Sequence, residues 1–356
     1  MKNDTILLAH GSGGKLSRKL ITELFMPHFT NEYISPLADA ALIDGSDLWR
    51  HCEERSDAAI SSSAVMTNKK LAFTTDSFVV KPIFFPGGDI GKLAVCGTTN
   101  DLAVMGAKPL YLSCGFVLEE GLLIDELHRI LDSMAAEAEK NGVKIVTGDT
   151  KVVEKGSADK IFINTAGIGI RDNNRSFNEK IKPGDKVIIN GTLGDHGIAV
   201  LSARENLAIG TPVLSDCASL WHMIDEVLES SNGVKFMRDP TRGGLATVLN
   251  EIVHGENFGI LLHEDSIPVK EEVNAICELL GFDPLYLANE GKVVLIASEK
   301  EAGKIVSIMK KNEIGKDSRI IGEVAASPAG KVFMKTGIGG TRIVDMMIAD
   351  QLPRIC

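Results

Sequence analysis

The sequence predicts an α/β protein of two domains, and three observations carry that prediction. At 356 residues the chain exceeds what a single hydrophobic core usually organises. Short β-type runs alternate with helical spacing of apolar residues through most of its length. A polar stretch at 171–184 (RDNNRSFNEKIKPG), holding Gly and Pro, interrupts the alternation and is the best boundary between the halves.

Taken in order, His10-Gly11-Ser12-Gly13-Gly14-Lys15 leads into an expected helix at 16–25. Residues 45–70 (GSDLWRHCEERSDAAISSSAVMTNKK) have little apolar periodicity and read as a surface insertion. Its adjacent His51 and Cys52 cannot complete a metal shell alone. LAFTT at 71–75 and VKIVT at 143–147 are expected to be short buried strands, with a third at 110–118. Between them, 90–106 and 123–141 have helical spacing. Further strands are expected near 161–170, 186–190, 258–263, 292–297 and 319–324, and helices near 195–205, 216–230, 242–253, 269–280 and 299–311. The expected units are 1–170, 171–346 and a flexible tail at 347–356.

Composition narrows the function. Hydrophobic residues are 44% and charged residues 24%, while 35 glycines against 5% aromatics point to many tight turns. A net charge of -10 argues against binding a phosphate backbone, which needs clustered Lys and Arg. No apolar run has bilayer length and the start carries no signal pattern, so a cytoplasmic protein is expected. The six cysteines form no C-x-x-C pair and fit neither a disulfide framework nor a zinc knuckle.

Chemistry concentrates in acidic residues set in Gly- and Thr-rich turns: Asp76 in TTDSF, Asp101 in TTNDLAVMGA, Asp149 in TGDT, Asp239 in RDPTRGG and Asp39 in LADAAL. Each alone serves equally well as a helix cap or turn residue. Together they suit magnesium, which prefers hard oxygen ligands and phosphates, if they converge at one sheet edge. The turn ending at Lys15 offers amides at a helix start, an anion site without Walker A spacing. Gly87, Gly88 and GIGGT at 337–341 read as turns. The chain ends ADQLPRIC. Six extended residues reach roughly 20 Å, enough to swing a terminal thiol between pocket and solvent. Pro353 would stiffen that arm and Arg354 could dock on an acidic or phosphate-rich site. The Cys356 thiol sits beside its own carboxylate and needs a nearby cation to ionise.

These segments resemble the HypE family of hydrogenase maturation proteins, within the AIR-synthetase-like superfamily. The matching residues are HGSGGK at 10–15, DAAL at 39–42, TTDSFVV at 74–80, FFPGGDIGKLAVCGTTNDLAVMGAKPLYLS at 84–113, TGDTKVVEKG at 147–156, INGTLGDHGIAVLSARE at 189–205, MRDPTRGGLATVLNEI at 237–252, NEGKVV at 289–294 and the terminal PRIC. Only the 45–70 region lacks a counterpart, and related selenophosphate synthetases lack the PRIC ending.

The resemblance implies an α/β (α+β) fold whose N-terminal domain forms a dimer sheet or barrel, followed by a C-terminal α/β domain and a mobile tail. It implies that Cys356 takes a carbamoyl group from the carbamoyltransferase HypF. ATP with Mg2+ then removes the oxygen as phosphate, and the resulting thiocyanate supplies cyanide to iron on the HypC–HypD complex. By the same resemblance Asp39, Asp76, Asp101 and Asp239 hold Mg-ATP, Asp149 contributes to the nucleotide site, and Asn100 and Thr241 lie near the phosphates. Lys15 and Lys151 neutralise phosphate charge, Glu154 binds the amide, and Glu290 is an alternative base. His10 and His196 are expected to be structural. Two alternatives stand beside this: a nucleotide-regulated assembly scaffold, and another AIR-synthetase-like ATP-dependent enzyme.

Overall fold

A computed structural model of the chain describes residues 5–7, 10, 19–33, 69–172, 177, 179–205, 213–346, 352, 355 and 356. Lys15, Asp39, His51, Cys52 and Arg354, with nearly all of the expected insertion, lie outside the described residues.

The first sheet has the order β1-β6-β4-β5, built from β1 (Lys69–Phe78), β4 (Ala107–Glu119), β5 (Lys144–Val153) and β6 (Ile161–Asp172). β4 and β5 run parallel, and the other pairs are antiparallel. A parallel pair needs a crossover, supplied here by helix α3 (Ile124–Lys140). Its buried positions Ile124, Leu127, Ile130, Leu131, Met134 and Ala138 recur every three or four residues. Helix α2 (Ile90–Val104) is buried on nearly every side. Asp89 caps it, the carboxylate accepting from Gly91 N at 2.7 Å and Lys92 N at 3.1 Å. One helical turn, α1 (Met26–Phe29), precedes the sheet, and β2 (Phe84–Phe85) and β3 (Gly88–Asp89) form a small hairpin.

The second sheet has the order β13-β12-β9-β11-β7-β10-β8. Its strands are β7 (Lys186–Ile189), β8 (Val234–Arg238), β9 (Gly259–His263), β10 (Val294–Ala297), β11 (Arg319–Ala325), β12 (Val332–Lys335) and β13 (Thr341–Ile343). The helices of this half are α4 (Asp195–Glu205), α5 (Trp221–Ser230), α6 (Gly244–Val253), α7 (Glu271–Leu280) and α8 (Glu299–Met309). Alternation along the strands divides the core between two faces. Val187, Ile189, Val294 and Ile296 pack in the cluster of α6, while Ile188, Val293, Leu295 and Ala297 pack with α5 and α8. Ala103 and Val104 of α2 join the latter cluster, so the end of the first half's central helix is buried against the second half.

Most expected elements stand within a few residues of their places. The strand expected at 71–75 extends over Lys69–Phe78, so the last two residues of the expected insertion belong to it. The expected 16–25 helix is described from residue 19 and continues through a π-turn at Ile21–Phe25 into α1. Strands β8, β12 and β13 were not expected. No helix among the described residues is long and apolar enough to cross a membrane.

Candidate active site

Strand β1 aims Asp76 at α2, because Asp76 pairs with Thr165 and paired residues share a face. Thr165 is fully buried and donates to the Ala94 carbonyl of α2 at 3.2 Å. Gly97 makes room beside it, since a Cβ there would lie 2.9 Å from the Phe78 ring. Two residues earlier on the same face, the Thr74 hydroxyl donates to Asp101 of α2 at 2.8 Å. Asp239 follows directly on β8. The turn after it runs through Gly243 at φ +70° and Gly244 at φ +59°, a left-handed pair that favours glycine. At Gly244 a Cβ would also press on the Leu285 and Leu287 carbonyls at 2.6 Å.

These three carboxylates sense one another. Burial raises the Asp76 pKa, opposed by the Ser77 amide and Arg242. Burial also raises Asp101, opposed by the Thr74 hydroxyl and reinforced by Asp76. Asp239 is pushed up to about 7 by burial, with Asp101 and Asp76 adding to the effect. Mutually repelling carboxylates at the boundary of two sheets fit a divalent cation, which would reverse the repulsion. Among the described residues no group of three His, Cys, Asp or Glu side chains is placed to hold a metal ion by itself. Carboxylates are the hard oxygen donors that magnesium prefers, and it completes its shell with waters and phosphate oxygens.

The chain's last residues dock beside this cluster. Ile355 is 5% exposed and belongs to the core cluster that also holds Phe85, Val200, Cys217 and Ala288. His196 Nε2 contacts the Ile355 carbonyl at 2.9 Å. Arg242 Nε donates to the Cys356 sulfur at 3.3 Å. Burial and then Glu290 push the Cys356 thiol up to about 12, with Arg242 pulling the other way.

Glu290 is 3% exposed, and its Oε1 is buried with no hydrogen-bond partner. Burial, then Asp216, Asp239 and Asp76, hold its pKa well above the usual carboxylate range. Its backbone is fixed from both sides. The amide donates to Asp216 at 3.2 Å, and the carbonyl accepts from Asn100 at 3.2 Å. Burial works to raise the Asp216 pKa, but Lys292 at 3.0 Å and the Glu290 amide act against it and the group is left lowered.

The structure thus brings Asp76, Asp101, Asp239, Glu290 and Cys356 together and sets other candidates apart. The Asn100 side chain is committed to backbone: it donates to the Ala218 carbonyl at 3.0 Å and to that of Glu290, and accepts from Leu220 N at 2.9 Å. Thr241 is half-buried in the glycine turn, its carbonyl accepting from Gly244 N at 3.0 Å. Asp149 and Lys151 pair with each other at 3.2 Å and are exposed. They stand in register with Gly115 and Val117, on the sheet face turned away from α2. Glu154 is exposed beyond the end of β5. Sequence reasoning missed Arg242, although it lies inside the RDPTRGG segment, and gave His196 only a structural place.

Comparison with known proteins adds four findings. Residues 55–171 match the AIR synthase related protein, N-terminal domain, and 182–335 match the corresponding C-terminal domain. The chain is 46% identical over its whole length to the carbamoyl dehydratase HypE of Rhodobacter capsulatus, spanning 99% of that relative. Its fold superposes with a TM-score of 0.88 on a crystal structure of HypE in complex with ATP, at 44% identity over 99% of this chain and 100% of that one. It also superposes with a TM-score of 0.74 on a chain of a HypE–HypF complex, at 49% identity over 92% of this chain and 99% of that one.

Proposed function

Because the chain belongs to the HypE family of carbamoyl dehydratases, within the AIR synthase related proteins, we propose that it dehydrates a carbamoyl group carried on its own Cys356. The observation that supports this reading is the docking of the Cys356 sulfur against Arg242, within the electrostatic influence of Glu290 and Asp76. A substrate tethered to the chain needs no separate binding step and arrives already oriented.

The reaction balances as S-carbamoyl-cysteine plus ATP giving S-cyano-cysteine, ADP and phosphate. The carbamoyl oxygen leaves with the phosphate, and the nitrogen loses both protons. Asp76, Asp101 and Asp239, with Asp39, would hold Mg2+, which neutralises phosphate charge when bound. Glu290, whose Oε1 has no other partner, is the buried group suited to accept an amide proton once a cation offsets the Asp239 and Asp76 charges that help keep it protonated. Arg242 orients the sulfur-borne group.

The docked thiol is a poor nucleophile, because a pKa of about 12 leaves it protonated at neutral pH. Carbamoyl transfer from a donor of the HypF kind therefore takes place with the arm undocked, and dehydration with the arm docked. Delivery to a HypC–HypD acceptor again requires the undocked arm. The open face of the first sheet carries Leu71 at 55% and Phe73 at 69% exposure. We assign that face to a second copy of the chain, with Asp149 and Lys151 at the seam of a cytoplasmic homodimer.

The test is the Asp76→Ala variant supplied with the carbamoyl donor and ATP. It is expected to accumulate the carbamoylated tail and form no thiocyanate. Thiocyanate formation at the parent's rate would remove this site from the reaction and favour a scaffold.

A further inference from the structure

We propose that His196 is a positioning residue that latches the C-terminal arm in its docked place and sets how often Cys356 is presented to the site. The inference rests on the reading that the arm carries the reacting group.

His196 is fully buried at the start of α4. A carbonyl oxygen only accepts, so Nε2 must be the donor to Ile355 at 2.9 Å. Burial lowers the His196 pKa against the opposing effects of Asp216 and the Ile355 carbonyl, which favours the neutral ring, in which Nδ1 has only a lone pair. The Ser215 hydroxyl at 2.8 Å is therefore the donor to Nδ1. Ser215 Oγ in turn accepts from the Cys217 amide at 3.1 Å. This chain of donors permits one tautomer, the one that grips the arm. The ring plane is set by Phe85, which meets it edge-on at 5.3 Å between centroids.

The latch and the catalytic carboxyl share one support. Ser215 holds the His196 ring, and Asp216 beside it accepts from the Glu290 and Gly291 amides, both at 3.2 Å. The same loop is pinned to the first half of the chain, where Ser215 N donates to the Pro86 carbonyl at 2.8 Å. Gly87 at φ +91° lets it approach, since a Cβ there would come within 2.7 Å of Ser215 N. Among the described residues of the arm, Ile355 lies in the first core cluster and Leu352 against that cluster and the one around α7, while Arg242 reaches the Cys356 side chain. The apolar contacts hold the arm near without fixing its rotation, whereas a hydrogen bond to the Ile355 carbonyl fixes the peptide that carries Cys356.

The test reads docking directly and needs no turnover, so its failure is distinct from failure of the catalytic reading. His196→Phe keeps a ring against Phe85 and removes the donor. The full-length protein is treated with iodoacetamide, and alkylation of Cys356 is followed by peptide mass alongside that of buried Cys277. The latch predicts a roughly five- to tenfold faster reaction at Cys356, the scale of one lost buried hydrogen bond. It predicts an unchanged rate at Cys277. Equal rates at Cys356 in variant and parent overturn the proposal, as does a parallel rise at both cysteines, which marks general loosening. If His196→Phe does not fold, Ser215→Ala frees the tautomer and is read in the same way, with the same outcomes supporting or overturning the latch.

Discussion

Arg242 places its Nε–H 3.3 Å from the Cys356 sulfur, joining residues 114 positions apart in the chain. On the proposed mechanism this bond, made only by the docked arm, serves dehydration and not carbamoyl acceptance. Arg242→Gln is expected to slow ATP-dependent loss of the carbamoyl oxygen roughly tenfold, the scale of one charge-assisted hydrogen bond. Carbamoyl loading of Cys356 should be unchanged. Separate rates for the two stages, read from the tail peptide, check this.

Docking should weaken in alkali. The thiol's ordinary pKa of 9.0 rises to about 12 when docked. The docked arm therefore holds its proton over a range in which the free arm has lost it. Its contribution is complete below the free value and declines as pH rises from there toward the docked value. Methyl NMR of Ile355 should show the free signal growing between about pH 9 and pH 11. Cys356→Ser should abolish the effect.

Magnesium–nucleotide binding should release protons. Burial, with Asp101 and Asp76, pushes Asp239 up to about 7, and a bound cation favours its ionised form. Affinity is expected to fall as pH drops below about 7, with close to one proton released at pH 6. Calorimetry in two buffers of different ionisation enthalpy measures the proton count, and Asp239→Asn should flatten the dependence.

Asn100 should behave as a structural clamp. Asn100→Ala removes three hydrogen bonds to backbone and leaves buried groups unsatisfied. A loss of about 3 kcal/mol in unfolding free energy is expected. Denaturant unfolding compared with nucleotide affinity tests it, because a residue that only binds phosphate would weaken affinity without that loss.

What could be read from local sequence, and what could not, follows a physical pattern. The helix expected at 123–141 is observed at Ile124–Lys140, because its apolar period alone fixes a buried face. Strands β12 and β13 escaped notice because they are only four and three residues long and flank the glycine-rich turn at 337–340. Asp76, Asp101 and Asp239 were recognisable from their glycine- and threonine-rich settings, yet Asp149 looked the same and faces the other way. Strand parity decides that, and register with a partner strand is not written in a local motif. The contacts of His196 with Ile355 and of Arg242 with Cys356 span 159 and 114 positions. They arise from the return of the chain's end to the seam of two sheets, which no local spacing announces. Lys15 and Asp39 lie outside the described residues.

The most direct test is the mass of the tail peptide in the intact protein, followed through carbamoyl loading and then ATP addition. Cys356 is expected first to gain one carbamoyl group and then to lose the mass of one water, with one ATP consumed for each loss. A carbamoylated Cys356 that keeps its mass while ATP is hydrolysed would contradict dehydration on the chain's own thiol.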